Sequence, residues 1–165
     1  MIDNITAKDI KTLIVNCILT TFYVILFTTQ VLAQPAAISS VYATQSDGTA
    51  ANGTYGTGED LRIIVEFTST VTLAGKPELT FETGDVDRTS NNSWLGGSGL
   101  AIVFQYIVRD GDVSDDLDYI SPLALALNGA TITDTDGNPA NLILPAPGTR
   151  GSLSYNNDIA ISTRP

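Results

Sequence analysis

Histidine is absent from this chain, and cysteine occurs once, at Cys17. Without histidine the chain cannot build Ser-His-Asp or Cys-His catalysis, and it lacks the usual ligand of zinc and copper sites. Because Cys17 lies in the N-terminal apolar stretch, the rest of the chain can form no disulfide. Burial of apolar side chains, alone or together with bound ions, must therefore hold the remaining domain together.

Basic residues are also scarce, because eight Lys and Arg face eighteen Asp and Glu, for a net charge of −10. Residues 1–33 contain two charges of each sign, so the whole net charge lies on residues 34–165. A surface of this charge repels phosphate backbones, and we expect no nucleic-acid partner. Such acidity suits an extracellular protein, and it also suits a protein that collects divalent cations.

Long apolar runs are limited to one, Thr12 to Thr29, which follows two lysines. A basic start, an apolar middle and small residues near a cut site predict a secretory signal peptide in residues 1–33. Val31 and Ala33 occupy its −3 and −1 positions. The alternative is an uncleaved anchor, because the run is close to the ~18–20 residues that span a bilayer. In both cases residues 34–165 form one exported domain, and the N-terminal segment is its only predicted membrane contact.

Period-two alternation and frequent turn residues dominate the sequence after Ala33, without helical periodicity. The clearest strand is DLRIIVEFT (60–68), and the most apolar one is LAIVFQYIVRD (100–110), a predicted central strand. Seven or more short strands at this spacing predict an all-β fold, an immunoglobulin-like β-sandwich with Greek-key connections. A small barrel is the alternative. Shorter strands are predicted at 38–43, near Val71 and Leu73, at 77–83, 123–127 and 131–133, and at 141–145 and 158–162.

Four stretches together resemble a known family: residues 53–84, 97–121, 125–145 and 151–161, beginning GTYGTGEDLRIIVEF and ending GSLSYNNDIAI. They are similar to the bacterial immunoglobulin-like repeat of large repetitive secreted and cell-surface proteins of the adhesin type. The resemblance implies a β-sandwich, a secreted or cell-surface location, and a role in adhesion or as a spacer. It implies no catalytic residues, and this chain differs from the tandem pattern because it contains one copy.

An unusual acidic run, DGDVSDDLDY (110–119), follows the most apolar predicted strand. Aspartate and glycine favour a tight turn at its start. A second interpretation is a structural calcium site, because hard cations prefer six to eight oxygen ligands. The candidate metal ligands are Asp110, Asp112, Asp115 and Asp116, although the twelve-residue frame of an EF-hand is missing.

The second half of the acidic run also has a purely structural interpretation. Strand alternation would direct Leu117 and Tyr119 inward and Asp116 and Asp118 outward, with the tyrosine hydroxyl bonded to the backbone. A second acidic segment, residues 134–138 (DTDGN), resembles part of an EF-hand loop. Ile132 stands where the first carboxylate ligand of that loop belongs, so we predict an ordinary turn there.

Trp94 is the candidate ligand-contact residue, because an exposed indole can stack on a sugar ring. The alternative is packing over an edge of the sandwich. No pair of carboxylates comes with other signs of catalysis, and we expect no enzyme. The sequence thus predicts an exported, non-enzymatic immunoglobulin-like module for cell-surface adhesion or protein association, whose partner is a protein or a glycan. The alternative is a small secreted carbohydrate-binding module. No cofactor is required, with calcium as a candidate structural ion.

Overall fold

The computed structural model describes residues 8, 10–12, 14–16, 34–91, 93, 94 and 98–163. The chain divides into two compact units, Met1–Gln34 and Pro35–Pro165. Residues 8, 10–12 and 14–16 of the first unit are helical, and no helix in the described part of the chain is long and apolar enough to cross a membrane. Most of the predicted signal peptide, with its cleavage after Ala33, lies outside the described residues and stays a prediction.

The second unit is built from β-strands, as the sequence predicts. Its one helix among the described residues is short, α1 (Leu153–Asn156), and begins after Ser152, whose hydroxyl accepts from the Tyr155 N–H. The strands are β1 (Ile38–Thr44), β2 (Gly53–Tyr55), β3 (Asp60–Ala74), β4 (Glu78–Phe81), β5 (Arg88–Ser90), β6 (Ser93–Trp94), β7 (Gly99–Ile107), β8 (Val113–Ser114), β9 (Leu125–Ala126), β10 (Thr131–Asp134) and β11 (Ile159–Ser162).

The long strand β3 organises the first layer. Its first half lies between β1 and β7, both antiparallel to it, and β6 extends the sheet beyond β7. Its second half pairs with β10, from Val71↔Asp134 to Ala74↔Thr131. The sequence predicts a break after Thr68, but the chain continues through an irregularity between Glu66 and Val71 as one strand.

The second layer contains the remaining strands. One group has the order β2-β11-β8, in which β2 and β11 are parallel and β8 is antiparallel to β11. The other has the order β5-β4-β9, with antiparallel pairs. Hydrogen bonds between residues 113–118 and 82–83 connect the two groups, since the Val113 N–H donates to Thr83 and the Glu82 N–H donates to Asp118.

One apolar core lies between the layers, and the alternation of each strand explains it. β3 buries Leu61, Ile63 and Val65, while Arg62 and Glu66 on its other face are partly exposed. The segment 141–145 was predicted as a strand, and this was wrong. Only Asn141 forms a bridge there, to Ala37, and the Leu144 N–H donates to the Pro122 carbonyl instead of to a neighbouring strand.

Candidate binding surfaces

The start of the acidic run forms the predicted tight turn. The Asp112 N–H donates to the Arg109 carbonyl at 3.1 Å, and Gly111 has a φ of 89°, a left-handed conformation that glycine adopts readily. This turn reverses the chain between β7 and β8. It also carries the side chain of Asp112 into the protein.

Asp112 is 0% exposed and lies at the centre of a polar network. Its carboxylate accepts from Arg88 Nε at 2.5 Å, from the Tyr106 hydroxyl at 2.8 Å and from the Arg109 N–H at 2.9 Å. The Arg88–Asp112 contact is an ion pair. Burial and the hydrogen bond to Asp112 raise the pKa of Tyr106, so the phenol stays a donor. A buried charge is stable only when an ion pair and hydrogen bonds of this kind replace its contacts with water.

The carboxylates of the other three candidate metal ligands take no part in this network. Asp110, Asp115 and Asp116 are exposed, and Asp110 contributes its carbonyl, rather than its carboxylate, to Arg88 at 3.3 Å. No group of three or more His, Cys, Asp or Glu in the described part of the chain could hold a metal ion. Calcium binding by these four residues stays a prediction, and melting in millimolar calcium against chelator tests it.

The second half of the run is more buried than predicted. Leu117 and Tyr119 face inward and Asp116 faces outward, as expected. Asp118 was predicted to face outward, and this was wrong: it is buried, and its carboxylate accepts from the Ser154 hydroxyl at 2.7 Å and the Gly148 N–H at 3.1 Å. The loop that precedes β11 folds over this position, and sequence alternation cannot report such a loop.

The hydroxyl of Tyr119 donates to the carbonyl of Pro145 at 2.5 Å, so its predicted bond to the backbone is present. Burial, with a contribution from the Asp118 charge, raises the pKa of this tyrosine. The bond holds the irregular segment 139–148 against the second layer. Leu144 supports it, with its N–H donating to the Pro122 carbonyl at 3.0 Å.

The segment 134–138 is the turn that the sequence predicts. One carboxylate oxygen of Asp134 accepts from the N–H groups of Asp136 and Asn138, at 2.9 and 2.8 Å. The other accepts from the Asn138 amide at 3.1 Å. Desolvation opposes ionisation of Asp134, but the combined effect of these hydrogen bonds is larger and lowers its pKa. The carboxylate thus closes its own turn.

An open basin of about 600 Å³ lies at one end of the sheet β2-β11-β8. Asn52 precedes β2 and Asp158 precedes β11, and these strands are parallel, so both residues reach the same end. Asp116 follows β8, which runs antiparallel to β11 and therefore finishes there too. The basin is lined by Asn52, Asp116, Ser154, Tyr155, Asn156, Asn157 and Asp158.

The floor of the basin is fixed by Asn157. Its buried amide accepts from the Ala43 N–H at 2.8 Å and donates to the carbonyls of Ala43 and Ala51, at 3.1 and 2.8 Å. The neighbouring Asn156 amide donates to the Val41 carbonyl at 2.8 Å. These bonds cover the outer edge of β1, so this strand is not open to pairing with another chain.

The rim of the basin carries an exposed ring and exposed acids. Tyr155 is 59% exposed. Partial burial raises the pKa of Asp116, and the charges of Asp158 and Asp118 add to this effect, while the Ile159 N–H opposes it. Sequence analysis missed Asn52, Tyr155 and Asp158. Their local signal is an aromatic residue among polar acceptors, SYNND (154–158), just before a strand.

A different surface is apolar. Leu123 is 77% exposed, Ile143 58% and Ile120 45%, and we call these three residues the apolar patch. The hydrogen bond between Leu144 and Pro122 places the two segments side by side. Residues 119–133 and 137–149 contain no charged side chain, in contrast to the acidic remainder. Exposed apolar groups that cluster in this way mark association surfaces.

Trp94, the predicted ligand-contact residue, lies on β6, where its backbone pairs with Val103 of β7. Its side chain lies outside the described part of the structure. Stacking on a sugar and packing over the sheet edge therefore both stay predictions for this residue.

Taken together, these surfaces offer polar acceptors in an open basin and an apolar patch on two charge-free segments of the chain. Similarity to characterised proteins adds nothing to this description, since no protein-family model, curated protein or solved structure matches the chain.

Proposed function

We propose that this protein is an exported, non-enzymatic module of immunoglobulin type that serves cell-surface adhesion or protein association. The observation that carries the proposal is the apolar patch, because a chain with a net charge of −10 leaves these large aliphatic side chains exposed on segments that contain no charged residue. Water contact of such groups is unfavourable by roughly 25 cal/mol per Å². A protein partner with its own apolar surface removes that contact.

Strand order supports the immunoglobulin-type assignment. In such sandwiches one sheet contains strands A, B, E and D, and the other contains C, F and G, sometimes with C′ beyond C. The order β1-β3-β7-β6 corresponds to A-B-E-D. In the second layer, strand G corresponds to β11, strand F to the segment that begins at β8, strand C to β4 and strand C′ to β5. The parallel pairing of β2 with β11 fits an A strand divided between the two sheets.

Adhesion of coated beads to cells tests the proposed function. Beads that carry the exported protein should bind, and the double variant Leu123→Ser, Ile143→Ser should lose most of that binding while its melting temperature changes little. Val86→Ser is the matched control, because Val86 is also an exposed aliphatic residue but lies outside the apolar patch. Equal adhesion of the patch variant and the wild type contradicts the proposal.

Carbohydrate binding is the second candidate function, and it depends on Trp94. Saturable sugar binding on a glycan array that disappears in Trp94→Ala, with folding retained, would favour it over protein association.

A further inference from the structure

The basin at the end of β2 and β11 has an unbalanced set of polar groups. Asp116 and Asp158 are both exposed, and neither forms an ion pair within the described part of the chain, where the ion pair is Arg88–Asp112. Among the residues that the structure describes, no basic one lines the basin. Two carboxylates therefore share one open surface to which no described side chain brings a positive charge, an arrangement that repulsion makes unfavourable by itself.

Hydrogen-bond donors around these carboxylates are largely used inside the protein. The Asn157 amide donates to Ala43 and Ala51, the Asn156 amide to Ser40 and Val41, and the Ser154 hydroxyl to Asp118. Toward solvent remain the carboxylate acceptors of Asp116 and Asp158 and one amide donor, that of Asn52, whose oxygen accepts from the Asp158 N–H at 3.0 Å. A ligand for this basin must consequently supply donors and positive charge, which a neutral sugar does only in part.

Tyr155 adds a third element, an exposed aromatic ring at the rim. A lysine ammonium or an arginine guanidinium within about 6 Å of a ring face is attracted by its electrons. An ammonium group that reaches two carboxylates can also contact such a ring along its aliphatic stem. The ring and both acids line the same open space of about 600 Å³, which admits a whole side chain.

We propose that this basin binds a basic side chain, lysine or arginine, of a partner protein, with Asp116 and Asp158 as the charge partners and Tyr155 as the covering ring. The floor is rigid, because Asn157 and α1 are bonded to β1, so the site exists before the partner arrives. This inference is independent of the apolar patch, since the two surfaces share no residue.

The charge balance of the protein favours this occupant. With a net charge of −10, attraction toward a basic protein extends beyond the basin itself and accelerates encounter at low salt. Burial and acidic neighbours raise the pKa of Asp116. A cation that enters the basin should lower this pKa. Affinity should then decrease at acidic pH, as Asp116 takes up a proton.

NMR titration of the exported protein with an acetylated and amidated tetralysine peptide tests the proposal. Saturable shifts should appear at residues 154–158, and raising NaCl from about 50 to about 200 mM should weaken binding several-fold. The double variant Asp116→Asn, Asp158→Asn should bind at least about tenfold more weakly. Tyr155→Ala should lose about two- to fivefold and Tyr155→Phe little.

The matched control is Asp85→Asn, Asp87→Asn, which removes the same charge from exposed positions elsewhere and should change affinity less than about threefold. Equal losses in the two double variants would show unspecific attraction and overturn the proposal. So would salt-independent binding of a neutral sugar in the basin without binding of the peptide. The apolar-patch variant should bind the peptide like the wild type, so failure of the proposed adhesion and failure of this site are distinguishable.

Discussion

Two aspartates only four residues apart, Asp112 and Asp116, have opposite environments. Asp112 is buried and accepts from Arg88, Tyr106 and the Arg109 N–H. Asp116 is exposed, faces the charges of Asp158 and Asp118, and forms no ion pair with the residues that the structure describes. The same residue type in one acidic run thus stabilises the fold at one position and leaves its charge available to a partner at the other.

This difference follows from what each backbone position faces. Gly111 turns the chain, and the Asp112 carboxylate accepts hydrogen bonds from side chains of β5 and β7. Asp116 instead lies at the open end of the sheet beside the loop before β11. The number of donors around a carboxylate, rather than the local density of acidic residues, separates a structural role from a binding role.

Replacing Asp112 should produce the largest effect on stability. Asp112→Ala leaves a partly buried guanidinium and a buried phenol without their acceptor, and we expect a loss of about 3–5 kcal/mol in the free energy of unfolding. Urea denaturation measures it. Asp115→Ala, an exposed position in the same run, should stay within about 0.5 kcal/mol. A loss below about 1 kcal/mol for Asp112→Ala is inconsistent with a structural network.

Replacing Asn157 should have the second-largest effect on stability, since its side chain joins the basin to β1. Asn157→Ala leaves the Ala43 N–H and the Ala51 carbonyl without the bonds that Asn157 provides, while the Ala43 carbonyl keeps its bond from the Ala51 N–H. We expect a loss of about 2–3 kcal/mol. The exposed Asn91 provides the comparison, and Asn91→Ala should be close to neutral. Thermal and urea unfolding of both variants would show the difference, and equal effects would contradict the assigned role.

Tyr119 and Tyr155 also differ in environment, since the first is buried and the second is exposed. Tyr119→Phe removes the bond to Pro145 and should cost about 1 kcal/mol, whereas Tyr155→Phe at the exposed rim should cost almost nothing. Calorimetric melting of the pair measures this. If Tyr155→Phe is the more destabilising of the two, the Tyr155 hydroxyl is bonded within the fold, which contradicts its assignment to the exposed rim.

Asp116 should show the smallest effect, and one of opposite sign. Its pKa in the folded protein is raised above the ordinary value of 3.8, so its ionisation at neutral pH destabilises the folded state. Asp116→Asn should therefore raise the melting temperature at pH 7, by about 1 °C because solvent screens the repulsion. The difference should disappear near pH 3, where Asp116 is protonated in both states. A gain that persists at pH 3 would show another cause.

Much of the layered architecture is readable in the sequence, because alternation marks the inward positions of β1, β3, β4 and β7. The turns at residues 110–112 and 134–138 are also predictable from aspartate and glycine chemistry. The continuity of β3 and the irregular course of residues 141–145 are not, since both depend on pairing partners distant in sequence. For the same reason, the sequence alone does not predict that Asp118 is buried or that Asp116 and Asp158 line the same basin.

The most direct test of the difference between a structural Asp112 and a binding Asp116 measures stability and tetralysine affinity on the same samples of Asp112→Asn and Asp116→Asn at pH 7. We expect Asp112→Asn to lose several kcal/mol of unfolding free energy and, under conditions where it remains folded, to bind the peptide like the wild type. Asp116→Asn should gain slightly in stability and bind several-fold more weakly. Similar losses of stability in both variants, with unchanged affinity in Asp116→Asn, would contradict it.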